Sequence, residues 1–235
     1  KPASTTRPAL EPISKERLPA VAEFLHRHLN PRFTVAQWEA SLRTAWRCDP
    51  PNHGFLLRAD GAVVGVIGAL YAHRPIAGRR EATCNITSWC VLDAYRKHSV
   101  RLAMALVEQP GWHFTDLSPT AVVADTLRFL KFSPIDSGVV LSANLPWVSR
   151  GVTLHRDDRS IRDALDDLGC EVYEDHARFG WLRHVVVASG SRCCHVIYKV
   201  GRYRGVGSAV VLHVGDPETF QATFRTFAAH LLSRG

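Results

Sequence analysis

Ser88-Trp89-Cys90-Val91-Leu92-Asp93-Ala94-Tyr95-Arg96-Lys97-His98-Ser99-Val100-Arg101-Leu102-Ala103-Met104-Ala105-Leu106-Val107 reads as an apolar strand, a basic turn and an apolar-periodic helix. A strand that feeds directly into a helix leaves the first helical N–H groups without intrahelical acceptors. Those groups, with the positive end of the helix dipole, attract a phosphate. Arg96, Lys97 and Arg101 add fixed positive charge around them. Further on, 112–117 reads as a short strand, Ser118-Pro119 opens a second helix with Ser118 as its N-cap, and Leu130-Lys131-Phe132 closes it.

Upstream, Ser14 is placed to cap a helix that carries Leu18, Val21, Ala22, Leu25 and Leu29 on one face, and Asn30-Pro31 stops it. Thr34 caps a second helix with Trp38, Leu42, Ala45 and Trp46, ended by Asp49-Pro50-Pro51. The stretch 55–68 is two strands around Asp60-Gly61, a hairpin turn, and 83–92 is the next strand. With a last strand at 139–141, the order is helix, helix, hairpin, strand, helix, strand, helix, strand. Downstream of Asn144-Leu145-Pro146-Trp147, which reads as a linker, a similar order restarts. It has an amphipathic helix at 159–168, a hairpin of 183–189 and 192–199 around Gly190-Ser191, a strand at 208–214, and a helix over 219–232 opened by Asp216-Pro217-Glu218. The expected division is a loose lead-in at 1–12, a domain at 13–142 and a smaller repeat at 143–235.

The first of these segments resembles the acyl-CoA-binding core of the GCN5-related N-acetyltransferase superfamily. That pattern is a strand ending Val-x-Pro, then Arg-x-x-Gly-x-Gly/Ala opening a helix. Val91-Leu92-Asp93 and Arg96-Lys97-His98-Ser99-Val100-Arg101 stand in those places, with Asp93 for the proline and Ser99 and Arg101 for the small residues. Leu130-Lys131-Phe132 resembles the Leu-Gly-Phe that closes the family's fourth helix. The resemblance covers residues 13–142 in order of elements and implies an α/β (α+β) fold, a mixed central sheet of the acyl-CoA N-acyltransferase type, followed by an incomplete, degenerate repeat.

It further implies an acyltransferase that moves an acetyl or other acyl group from coenzyme A directly to an amine of a small-molecule acceptor. Main-chain groups at Trp89, Cys90 and Val91 would meet the pantetheine arm and polarise the thioester carbonyl, and the turn Arg96, Lys97, His98, Ser99, Val100, Arg101 would cradle the pyrophosphate. Ser118 falls where the family often has a polar cofactor contact. A tyrosine that protonates the departing thiolate commonly sits five residues before the closing phenylalanine, and Leu127 occupies that place, leaving Ser118, Thr120 or water to serve. The alternative is an acyl-CoA-binding or assembly module without turnover. A general base has four candidates, Asp116 first, then Glu81, His73 and His113, because Asp116 ends the strand flanking the thioester site. Cys90, on an apolar strand without an adjacent base, reads as a buried thiol rather than a nucleophile.

In the repeat, Asp216 and Glu218 put carboxylates where the first copy would receive phosphate, so that copy is not expected to hold coenzyme A. Either the chain continues past Gly235 or the half serves as a wall of the acceptor cleft. Gly201-Arg202-Tyr203-Arg204-Gly205-Val206-Gly207 lies between strands with no helix behind it and reads as a glycine-rich connection, not a phosphate loop.

Composition narrows the classes. The chain has 235 residues, 46% apolar and 22% charged, ordinary for a folded protein with a sizeable core. Net charge is +7, but only five of the 29 basic residues are lysines and the arginines are dispersed, which favours anionic small ligands over nucleic acid. Cysteines 48, 84, 90, 170, 193 and 194 lack metal-ligand or disulfide-scaffold spacing, so no metal and a reducing, cytoplasmic setting are expected. No apolar run suits a membrane span or signal peptide, a first residue other than methionine points to a trimmed start, and a homodimer is open.

Overall fold

A computed structural model describes residues 7–43, 46–76, 79–135, 138–148 and 150–233. The chain divides into two compact units, residues 1–136 and 137–235.

The first unit runs β1 (Ala9–Pro12), α1 (Leu18–His28), α2 (Val35–Leu42), β2 (Gly54–Ala59), β3 (Ala62–Ile76), β4 (Arg79–Val91), α3 (Ser99–Val107), β5 (His113–Thr115) and α4 (Ala121–Phe129). Its sheet has the order β1-β2-β3-β4-β5, antiparallel throughout except that β4 and β5 are parallel. Asp60 and Gly61, at φ 49° and 78°, form the tight turn between β2 and β3 that the Asp-Gly pair predicts. One sheet face carries α1 and α2 through Leu18, Val21, Phe24, Leu25 and Leu42. The other carries α3 and α4 through Leu102, Ala103, Leu106 and Leu127. Burying these apolar stripes on both faces of one sheet supplies the core.

Five sequence expectations change here. Ser14 does not cap α1; it makes no side-chain cap bond, and α1 starts from Arg17 after a 3-10 turn at Lys15–Arg17. The lead-in is not loose throughout, because Ala9–Pro12 pairs with Arg58 to Phe55 of β2, held by Glu11, whose carboxylate binds both Arg58 and Arg17. Trp46 is not helical but bridges to Ala72 of β3, and Ala45 lies outside the described residues. The strand expected at 139–141 is absent, and Val139, Val140 and Leu141 are exposed; a run of apolar residues makes a strand only where a sheet edge and a cover are available. The cap of α4 is Thr120, whose Oγ1 accepts from the Val123 N–H at 3.4 Å, two residues after the expected Ser118.

The second unit runs β6 (Val152–His155), α5 (Asp158–Ala164), α6 (Asp167–Ala177), β7 (Leu182–Ser189), β8 (Arg192–Tyr203), β9 (Val206–Val214) and α7 (Pro217–Ser233). Its sheet has the order β6-β7-β8-β9, all antiparallel. This repeats the first unit from β1 to α3, element for element. The expected helix 159–168 is two helices, because Asp166 caps α6 through the Gly169 N–H at 2.7 Å and ends the path of α5. Arg204 and Gly205, at φ 49° and 84°, form a tight hairpin turn, so Gly201 to Gly207 is a strand connection as read. Cys193 and Cys194 face opposite sides of the sheet, Cys193 against the α5/α6 cluster and Cys194 against the α7 cluster. No helix of the described residues is long and apolar enough to cross a membrane.

Candidate functional site

The site begins where β4 and β5 part. Their parallel ladder holds Thr83, Cys84 and Asn85 against His113, Phe114 and Thr115 and stops there. The last rung is tied by a side-chain bond, Thr115 Oγ1 to Asn85 Oδ1 at 3.1 Å. Beyond it, 86–91 stays paired to β3 on one edge, while the other edge has no strand partner among the described residues.

A β-bulge re-aims the same segment. Gly65 pairs with Val91 and Val66 with Cys90, but the next pair is Gly68 with Thr87, so two steps on β3 span three on β4. The extra residue lies at Ser88–Trp89, and Ser88 takes φ 52°, a left-handed conformation uncommon without glycine. Gly68 stands opposite because a Cβ there would meet Leu42 at 2.9 Å and Thr87 at 3.0 Å. After the bulge, Trp89 and Val91 pack with the α3/α4 cluster, and Cys90 packs with the α1/α2 cluster. Leu92 donates to Val64 on the β3 side at 3.0 Å. Since successive amides alternate along a strand, the Val91 N–H faces the open edge. Burial pushes the Cys90 thiol up, so it is a packing group and a poor nucleophile.

The chain does not pass straight into the helix as the sequence suggests. A 3-10 turn over Asp93–His98 comes first, and α3 follows with His98 as its N-cap. No side chain caps α3 and no acid lies in its first turn, whereas α2, α4, α5 and α6 are capped by Thr34, Thr120, Asp157 and Asp166. Arg101 does not stopper that end; its guanidinium donates to the Pro8 carbonyl at 3.3 Å. Arg96 pairs with Asp93, leaving Lys97 exposed beside the turn. Partial desolvation first, then the cations Lys97, Arg101 and Arg7, hold the His98 imidazole below its usual range, which marks the turn as electropositive. An uncapped helix start, an open strand edge and clustered cations place main-chain donors and positive charge where an anionic ligand could be held.

The four base candidates lie in two places. Glu81 lies within 3.4 Å of both Arg79 and His113, and His73 stacks on Trp112, all at the closed, N-terminal end of β4. Asp116 directly follows the last paired residue of β5, at the fork. Its carboxylate accepts the Ser118 N–H at 3.1 Å and has no cation partner among the described residues, and burial raises its pKa above the ordinary aspartate value. The Ser118 side chain is exposed, so Ser118 bears on the fork through its main chain and not as a helix cap. Leu127, where the resemblance puts a tyrosine, is 4% exposed and part of the core. Sequence reasoning missed the bulge, for which the only trace is a serine between two β-formers.

The second unit repeats the irregular fourth strand but fills the helix start that follows it. Ile197 pairs with His213 and Tyr198 with Val211, which leaves Leu212 as an extra residue in its fourth strand, as in β4. Asp216 then accepts from the N–H groups of Glu218 and Thr219 at 3.1 and 3.3 Å, and Arg192 bridges Asp216 and Glu218 at 2.9 and 3.0 Å. The Thr219 hydroxyl first, with Arg192 after it, holds the Asp216 carboxyl down at about 2, so the start of α7 is filled by charge of a phosphate's own sign.

No protein-family profile and no curated protein matches the sequence. Similar solved structures include a GCN5-related N-acetyltransferase from Anabaena variabilis, with a TM-score of 0.59 at 11% identity over 95% of this chain and 63% of that one. A probable N-acyltransferase from Enterococcus faecalis gives 0.59 at 13% identity, over 97% of this chain and 62% of that one. The N-myristoyltransferase of Saccharomyces cerevisiae, solved with bound myristoyl-CoA, gives 0.51 at 11% identity, over 98% and 70%. The chain thus spans under two thirds of the first two proteins' length, and the likeness extends over both of its units. The chain has the fold of these GCN5-related N-acetyltransferase and N-acyltransferase structures.

Proposed function

We propose that the first unit binds an acyl-CoA, acetyl-CoA or a longer homologue, and transfers its acyl group directly to the amine of a small-molecule acceptor. The observation that carries this reading is the parting of β4 from β5 after Asn85 and Thr115, which opens a main-chain edge leading to an uncapped helix start. The N–H groups of the turn from Lys97 to Arg101 receive the pyrophosphate, with Lys97 neutralising charge beside them. Along the open edge, main-chain groups of Trp89 to Val91 bond the pantetheine arm and polarise the thioester carbonyl as it gains negative charge.

The acceptor nitrogen attacks the thioester carbon; an N–C bond forms, the C–S bond breaks, and Asp116 takes the ammonium proton. Burial supports that role by bringing the carboxylate's pKa toward the operating pH. With Leu127 packed in the core, water supplies the proton to the departing thiolate. The same leucine favours a second reading, a unit that binds acyl-CoA without turnover.

Thiol release from acetyl-CoA and from a long-chain acyl-CoA, followed with an amine panel, separates the readings. The first requires amine-dependent release that Ser99→Trp abolishes by filling the cradle. The second predicts saturable binding with no release. If neither donor binds, both readings are lost.

A further inference from the structure

The second unit contains a cavity of about 570 Å³ under the C-terminal end of α7, floored by β8 and β9. The glycine-rich hairpin makes room for it, since Gly207, Ser208 and Ala209 carry little or no side chain where the floor passes below Leu231 and Leu232. Its lining is basic. Arg156, Arg183 and His230 contribute, Tyr198 adds a hydroxyl, and no carboxylate lines it. Among the described residues neither arginine has a carboxylate partner; Arg183 donates only to the main-chain carbonyls of Gly180 and Leu182, at 3.0 and 3.5 Å. Two fixed positive charges at the mouth of a concave site, uncompensated by acids, attract an anion and favour paired N–H to oxygen bonds.

A polar pair lies with them on the α7 face of the sheet, the Tyr198 hydroxyl and His230 Nε2 being 3.4 Å apart, while the His184 ring turns to the other face against Tyr173 of α6. Apolar surface from Val200 and Leu231 lies beside these polar groups. A site of this size with convergent polar groups and an apolar wall suits a small organic ligand.

We propose that this cavity binds a small organic anion, a phosphate or carboxylate with an apolar portion, with its oxyanion on Arg156 and Arg183 and its apolar portion against Val200 and Leu231. The site is separate from the fork of the first unit, and its occupant is not a coenzyme A phosphate at the start of α7, which Asp216 and Glu218 close.

Calorimetric titration of the intact chain with phenyl phosphate, hexanoate, inorganic phosphate and neutral benzyl alcohol tests the proposal. Phenyl phosphate or hexanoate binds, inorganic phosphate binds more weakly, and benzyl alcohol does not bind; which of the first two is preferred identifies the head group. Arg156→Gln and Arg183→Gln each weaken the bound anion by about tenfold or more, the worth of one charge-assisted hydrogen bond, and Arg156→Lys restores part of the loss. Both arginines are exposed, and unchanged melting of the variants excludes unfolding as the cause. Arg96→Ala, in the first unit, leaves the affinity unchanged. No heat with any anion, equal binding of benzyl alcohol, or anion binding lost in Arg96→Ala and kept in the Arg156→Gln/Arg183→Gln double variant would overturn the proposal.

Discussion

Asp116 and Ser88, on either side of the parting of β4 and β5, each predict a measurable change in stability. A carboxylate whose pKa is raised by folding contributes stability below its unfolded pKa and loses it as pH rises through the folded value. At neutral pH, Asp116→Asn should therefore leave the melting temperature unchanged or raise it. In a catalytic chain the same change lowers amine-dependent turnover by about 10²- to 10⁴-fold, the usual worth of a general base, and removes the acid limb of the pH–rate profile. A variant that melts early and turns over normally would assign Asp116 a structural part instead. Ser88 sits in the left-handed region at φ 52°, which glycine adopts without strain. Ser88→Gly should stabilise the first unit by roughly 1 kcal/mol in urea unfolding, and Ser88→Val should destabilise it. Equal stabilities would mean that the bulge is not held in this conformation.

Elements were legible where one local signal dominated. The Asp-Gly turn gave the β2–β3 hairpin, the apolar stripes gave α1 and α3, and the order strand, basic turn, helix gave the passage from β4 to α3. Where two signals competed, tertiary context decided. Ser118 and Thr120 are both good caps flanking Pro119; the Ser118 N–H is taken by Asp116, so the helix starts after Thr120. Thr120→Ala should cost about 0.5–1 kcal/mol in thermal or urea unfolding, and Ser118→Ala almost nothing; the reverse order would restore the cap to Ser118. Residues 139–141 are β-formers without an edge to join, and Ala9–Pro12 joins an edge despite weak propensity. Trp89, Cys90 and Val91 were singled out only through the family resemblance, because an unpaired strand edge has no composition of its own. The bulge was not anticipated at all: one extra residue in a ladder leaves the alternation on either side intact.

At the scale of the whole molecule, two copies of one element order have diverged in charge. The first ends its fourth strand in a basic turn and an uncapped helix, and the second ends it in Asp216 and Glu218. The second also buries His195, 3% exposed, against His184. Burial first, and neighbouring histidines next, push these imidazoles down to about 3 and about 4. A depressed folded pKa means stability that is present above the unfolded value of about 6.5 and is lost as pH falls toward the folded values. The second unit should melt progressively earlier from about pH 6.5 toward pH 4, with a shallower dependence in His195→Gln, as read by scanning calorimetry. A flat profile would mean that the pair is not held neutral. The central claim, that the fork and turn of the first unit receive an acyl-CoA, is tested most directly by titrating coenzyme A into the ¹⁵N-labelled chain and following its amide resonances. The account predicts that Val91, Lys97, Ser99, Val100 and Arg101 shift together with one saturating affinity while Glu218 and Thr219 at the start of α7 stay fixed. Absence of shifts at those five amides, or saturation at the start of α7 instead, would contradict it.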